Sequence, residues 1–215
     1  MKLIQAAIAT LTLAGASAAM SAPVLNFENL ITDSPNSLLR LSNQYESSGV
    51  LFESDGWVLN ARGAGGLGNF SNTPSGIAAA TLISDAMSGP TSLLARVKGG
   101  FQNSLTLSYT TDQIDVGVSL LDENNKVLTS FLLNSVSQAG CRPLDLCNWS
   151  RDTKLSFDGT AYAVRFSGES GQAFFDDISF GSGGHQTVPE PASLALLMAG
   201  LAAAGCARRR SASAA

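Results

Sequence analysis

The sequence predicts an all-β protein, an antiparallel β-sandwich of jelly-roll type, and three observations carry that expectation. Short runs in which apolar and polar residues alternate recur through the middle of the chain, the period of a strand with one buried face. Clusters of Gly, Ser, Asn and Asp separate these runs, as turns between strands do. The middle of the chain has almost no stretch with the apolar spacing of an amphipathic helix. Many short strands joined by polar turns pack as two layers.

The expected strands follow in order. Residues 24–29 open the series, and residues 49–53, 57–60 and 78–83 continue it, separated by Gly, Ser, Asn and Pro. Residues 92–97 fit a strand or a helical turn, and the sequence leaves both open. Residues 104–109 put Leu105, Leu107 and Tyr109 on one face and Ser104, Thr106 and Ser108 on the other. Val116, Val118 and Leu120 repeat that pattern. Residues 126–133 resume it after Asp122, Glu123, Asn124 and Asn125, a polar cluster suited to a tight turn, so the two runs are expected to pair as a hairpin. Tyr162, Val164 and Phe166 define a further face, and residues 174–180 the last strand. The glycine-rich stretch RGAGGLG at 62–68 matches neither a Walker loop nor a dinucleotide loop and reads as a surface loop.

The two ends of the chain have a different character. Lys2 precedes a charge-free stretch over residues 3–19, and Ala16, Ser17 and Ala18 supply small residues at the usual cleavage positions. Residues 1–18 therefore read as a secretory signal peptide. At the other end Val188, Pro189, Glu190 and Pro191 form an extended, accessible segment, because proline fixes φ and removes a backbone donor. Residues 192–207 carry no charge, and Arg208, Arg209 and Arg210 close the run with the basic cluster that the positive-inside rule keeps cytoplasmic. Sixteen residues rise about 24 Å as a helix against about 30 Å of hydrocarbon, short for a permanent span. The segment reads as a transmembrane sorting helix that is more a signal than an anchor.

This order of Pro-Glu-Pro turn, short apolar helix and arginine-rich end resembles the PEP-CTERM sorting signal of exported Gram-negative bacterial proteins. The resemblance implies recognition and processing by a membrane exosortase near Pro189, Glu190 and Pro191, a transient membrane attachment, and delivery to the cell surface or extracellular polysaccharide matrix. The organisation expected is thus a signal peptide at 1–18, a β-sandwich body at 19–180, a Gly-rich linker at 181–187 and a sorting signal at 188–215. Signal peptidase, exosortase and the membrane are the implied partners, with extracellular polysaccharide a further candidate. A second resemblance lies in the body. Phe27-Glu28-Asn29, Tyr45 followed by Gly49-Val50-Leu51-Phe52, and FFDDISF at 174–180 resemble the surface domains of PEP-CTERM proteins with a Gln-Phe-x-x-Asp signature, and more loosely carbohydrate-binding jelly rolls. Gln172 and Asp176 keep that spacing, and Ala173 stands where the signature has Phe.

Setting aside Lys2, the three terminal arginines and Glu190, the body holds 9 basic and 16 acidic residues, so no basic stripe is available to neutralise phosphates and nucleic acid is not an expected partner. In an oxidising compartment Cys141 and Cys147 are expected to close the loop CRPLDLC as a disulfide; a metal pair is the rival reading, weak without a nearby histidine. If residues 174–180 form one regular strand, Phe174, Asp176, Ile178 and Phe180 share a face, which sets a carboxylate among apolar side chains. First and last strands of a jelly roll lie side by side. Glu28 and one of Asp176 or Asp177 are then candidate ligands for a structural Ca²⁺, the alternative being carboxylates that cap backbone N–H groups.

Catalysis has little to build on. The only histidine, His185, falls in the linker, and Gly168-Glu169-Ser170-Gly171 is one residue short of a nucleophile elbow. Trp57 and Trp149 are candidates for stacking on sugars or for the core. The expected function is a non-catalytic exported surface or matrix protein whose sandwich serves adhesion or glycan association, with no catalytic residue assigned. The alternative is a secreted carbohydrate-active enzyme, a glycoside hydrolase with a carboxylate pair about 5 to 9 Å apart.

Overall fold

Alternating residues become paired strands over most of the body. The computed structural model describes residues 24–28, 30–31 and 34–181. The expected signal peptide at 1–18, the linker beyond Gly181 and the sorting signal at 188–215 lie outside the described residues. Among the described residues ten strands run in chain order: β1 (Val24–Leu25), β2 (Leu38–Arg40), β3 (Val50–Ser54), β4 (Gly56–Asn60), β5 (Ala78–Leu82), β6 (Pro90–Thr111), β7 (Val116–Leu121), β8 (Val127–Leu133), β9 (Ser150–Glu169) and β10 (Ala173–Phe180). All their pairings are antiparallel.

Two strands exceed anything the alternation announced. β6 and β9 pair with each other from Pro90↔Glu169 to Tyr109↔Ser150. The residues at 92–97, open between strand and helical turn, are strand within β6. The register shifts between Arg96 and Phe101, where Gly99 and Gly100 take φ of 81° and 74°. A Cβ on Gly100 would lie 2.7 Å from Thr160 Cγ2 and 2.9 Å from the Ala161 carbonyl oxygen. Glycine alone combines this left-handed turn with so close an approach of the two backbones.

That corner divides the strands into two layers. Before it, β6 lies between β3 and the second half of β9, and β7 and β8 continue the order. After it, β6 lies between the first half of β9 and β10, followed by β5, β4 and β2, with β1 also on β10. Inward side chains of both layers form one core, in which Val50, Phe52, Val118 and Phe166 meet Val58, Ala80, Leu107 and Phe175. The rings of Phe166 and Phe175 lie 4.7 Å apart across the layers.

The hairpin of β7 and β8 forms as expected, and Asp122 Oδ1 accepts from the N–H groups of Asn124 and Lys126 at 2.9 and 2.8 Å to fix its turn. β1 is shorter than residues 24–29, because Phe27 adopts φ 61° and its N–H donates to the Tyr45 hydroxyl at 3.0 Å. β2 is unforeseen, an edge strand of three residues on β4. The face expected for the last strand needs correction. Asp177 adopts φ 49° and the register with β6 gains one residue between Asp176 and Ser179. This β-bulge inverts the alternation. Ala173, Phe175, Ile178 and Phe180 face the main core, whereas Phe174 belongs to a second cluster with Leu59, Ala79, Phe70 and Leu146.

The inter-layer core sets the stability. Replacing Phe175, fully buried, with Ala is predicted to cost about 3–5 kcal/mol, read as a lower urea midpoint with an unchanged slope.

Candidate functional site

The acidic residues singled out in the sequence do come to one region, since β1 pairs with β10 at Val24↔Ser179 and Leu25↔Ile178. Glu28 leaves the end of β1 and accepts the N–H of Ile77 at 2.8 Å and of Ala78 at 2.9 Å. Asp176 is completely buried. Its Oδ2 accepts the Ser75 N–H at 2.9 Å, its Oδ1 accepts the N–H of Asp177 at 2.8 Å, and the Ser75 hydroxyl donates to the same carboxylate. The two carboxylates thereby hold residues 75–78 against the sheet. Gly76 lies between their anchor points at φ 39°, and a Cβ there would fall on the Glu28 carboxylate, so the clamp requires glycine.

Burial pushes the Asp176 carboxyl up to about 7, the charge of Asp177 adds to the rise, and the donors from Ser75 and Asp177 only partly offset it. Burial likewise raises the Tyr45 hydroxyl; the Phe27 N–H opposes that rise, and the charges of Asp176 and Glu28 reinforce it.

These contacts bear on the expected Ca²⁺. A hard cation takes about six to eight oxygen ligands, whereas the oxygens of Glu28 and Asp176 are turned to backbone N–H groups. Asp177 contributes a bulge and a partly exposed side chain. Among the described residues no group of three His, Cys, Asp or Glu side chains is placed to hold a metal. The geometry matches the capping of backbone donors and does not fit a cation.

The clamped segment continues a cover over the outer face of β4, β5 and β10. Phe70 packs on Phe174 at 4.6 Å and on Trp149 at 6.1 Å between centroids. Trp149 Nε1 donates to the Ser71 carbonyl at 2.8 Å, and Arg151 to the Asn72 carbonyl at 2.9 Å. Trp57 Nε1 donates to the Ile83 carbonyl at 3.1 Å, with the Arg40 guanidinium 5.7 Å above its ring. Both tryptophans are half-buried, and none of the described Phe, Tyr or Trp residues is in an exposed position. Ser170 is buried and its hydroxyl accepts the Ser84 N–H at 3.1 Å, a structural employment.

Cys141 and Cys147 are joined as a disulfide with Cα atoms 5.5 Å apart. No pattern in the sequence points to the residue that seats this loop. Gln138 Oε1 accepts the N–H groups of Cys147 and Asn148 at 2.9 and 3.1 Å, and its Nε2 donates to Thr110 Oγ1 on β6 at 3.0 Å. Opposite stands the glycine-rich loop, closed by a bridge between Ala61 and Gly68 and tied across by an ion pair of Arg62 with Asp145 at 3.7 Å. The two loops frame a basin of about 720 Å³ whose wall includes Asn69, Asp112, Gln113 and Gln172. Gln172 and Asp176, the two matching positions of the signature, thus serve different places: one lines the basin and the other clamps the covering loop.

A family model for the PEP-CTERM protein-sorting motif matches residues 187–210. The chain carries that motif, which includes Val188, Pro189, Glu190 and Pro191 and extends to Arg210. The motif marks a protein for export and sorting to the cell envelope or surface of Gram-negative bacteria. No curated protein matches the chain. Among solved structures, a DUF4465 family protein from Bacteroides caccae is similar at 15% identity and TM-score 0.42, covering 73% of this chain and 96% of that one. An arabinose-bound MgGH51 α-L-arabinofuranosidase is similar at 13% identity and TM-score 0.40 over 74% of this chain, which spans only 26% of that chain's length. TmCBM61 in complex with β-1,4-galactotriose is similar at 14% identity and TM-score 0.36, covering 66% and 96% of the two chains. Such scores are too low to establish a shared ligand.

Two outcomes follow from the clamp. The folded value of Asp176 lies above its unfolded value of 3.8, so its contribution is fully present below about pH 4 and is lost as pH rises through about 7. From pH 5 to pH 8 the Tm of the native chain is predicted to fall more steeply than that of Asp176→Asn, a difference worth at most about 3 kcal/mol. EDTA is expected to leave both melting temperatures unchanged, and a drop with chelator would restore the cation.

Proposed function

We propose that the chain is an exported, exosortase-sorted protein of the cell surface or extracellular matrix, with a non-catalytic β-sandwich that serves adhesion or glycan association. The sorting motif at residues 187–210 carries this reading. Signal peptidase removes residues 1–18, the apolar segment at 192–207 holds the chain briefly in the inner membrane, and exosortase processes it near Pro189, Glu190 and Pro191. The body suits that destination. Its disulfide belongs to an oxidising compartment, and its acidic excess disfavours nucleic acid.

A hydrolase reading draws on one observation. Glu46 and Glu123 line a common groove of about 380 Å³ with Tyr162, and glycoside hydrolysis needs a pair of carboxylates. The single histidine of the chain, His185, lies outside the described residues.

In cells lacking the sorting protease, the intact protein is predicted to accumulate in the inner-membrane fraction, whereas cells with it release a shortened form to the surface or medium. An unprocessed chain found in cytosol in both strains would overturn the export reading. On purified protein, retention on glycan arrays without turnover is expected; hydrolysis abolished by Glu123→Gln would favour the enzyme instead.

A further inference from the structure

Resting on the glycan-association reading, we propose that the basin between the glycine-rich loop and the disulfide loop is the binding site, and that its ligand is an uncharged, hydroxyl-rich saccharide. Its volume of about 720 Å³ falls within the roughly 300–1,000 Å³ of small-ligand sites. The groove beside Tyr162 is about half that size.

The chemistry of the wall points to the class of ligand. Asn69, Gln113 and Gln172 line the basin, and their side-chain amides make no hydrogen bond within the described residues. Gln138, also on the wall, spends both ends of its amide on the loop. An amide offers a donor and an acceptor together, the pattern that adjacent sugar hydroxyls complement. The charges of the lining cancel, two guanidiniums, Arg62 and Arg142, against two carboxylates, Asp112 and Asp145. Arg62 and Asp145 are moreover paired with each other. A polyanion finds no net attraction there, and the acidic body around it repels one.

The rim supplies the apolar half of sugar recognition. Leu144 is 81% exposed at the tip of the disulfide loop, and Leu67 is 46% exposed on the loop opposite. Leu144 is held at φ 69°, a conformation that a branched side chain keeps only where its surroundings impose it. Here the disulfide, the Gln138 contacts and the Arg62–Asp145 pair impose it. Two exposed leucines on braced loops offer C–H surface to a sugar ring without an ordering cost on binding.

The test uses the full chain and immobilised probes: neutral gluco- and galacto-oligosaccharides of four to six sugars, and oligogalacturonates of the same length. The native protein is expected to bind a neutral probe, Gln172→Ala and Leu144→Ala to weaken that binding at least tenfold with unchanged Tm, and Tyr162→Ala to bind as the native chain does. Neutral binding that survives both basin substitutions and is lost in Tyr162→Ala would move the site and leave glycan association standing. Binding of oligogalacturonates alone would overturn the uncharged class. Failure to bind any probe would overturn the site and the glycan-association reading together.

Discussion

β6 and β9 stay hydrogen-bonded to each other through a corner, and the other strands take their places from that pair. A strand pair that bends offers two sheets at once, each edge available to new partners. β3 and β7 take one side of the bend and β10 takes the other. The bend is possible because Gly99 and Gly100 accept positive φ, and because the backbones can approach closely at Gly100. Burial of one shared core then locks the two layers, with Phe166 and Phe175 meeting across it.

The layers differ in how they are finished. The outer face of β4, β5 and β10 is closed by loops, and polar clamps decide where those loops lie. Asp176 and Glu28 fasten residues 75–78, while Gln138 fastens the disulfide loop to β6. A buried carboxylate is costly unless donors surround it. Asp176 has three, from two neighbouring residues, and burial still drives its proton affinity upward. The cover is therefore held by a group whose charge changes near neutrality, and the same loop carries Asn69 to the wall of the basin.

Much of this architecture was legible in the sequence, and the failures have physical reasons. β3, β4, β5, β7 and β8 stand close to where alternation put them, since each has one face on the main core. β6 and β9 read as fragments because glycines and polar residues interrupt the pattern at the corner without ending the pairing. Alternation cannot register a bulge, so Asp176 was placed on the wrong side of Ile178. The doublet Phe174-Phe175 was the available clue, because two adjacent buried aromatics on a strand require cover on both faces. Glu28 and Asp176 were found as a region, but their partners are main-chain N–H groups, which side-chain identities do not reveal. Gln138 left no trace in the sequence because a polar loop residue looks the same whether it is solvated or clamped.

The cross-link between Cys141 and Cys147 also gives the molecule a sense of place. Thiols remain apart in a reducing cytosol and join once the polypeptide has crossed into an oxidising space. The rim that carries Leu144 is consequently cross-linked only after translocation. A newly made chain would travel through the cell with that bond still unmade, and acquire it on arrival.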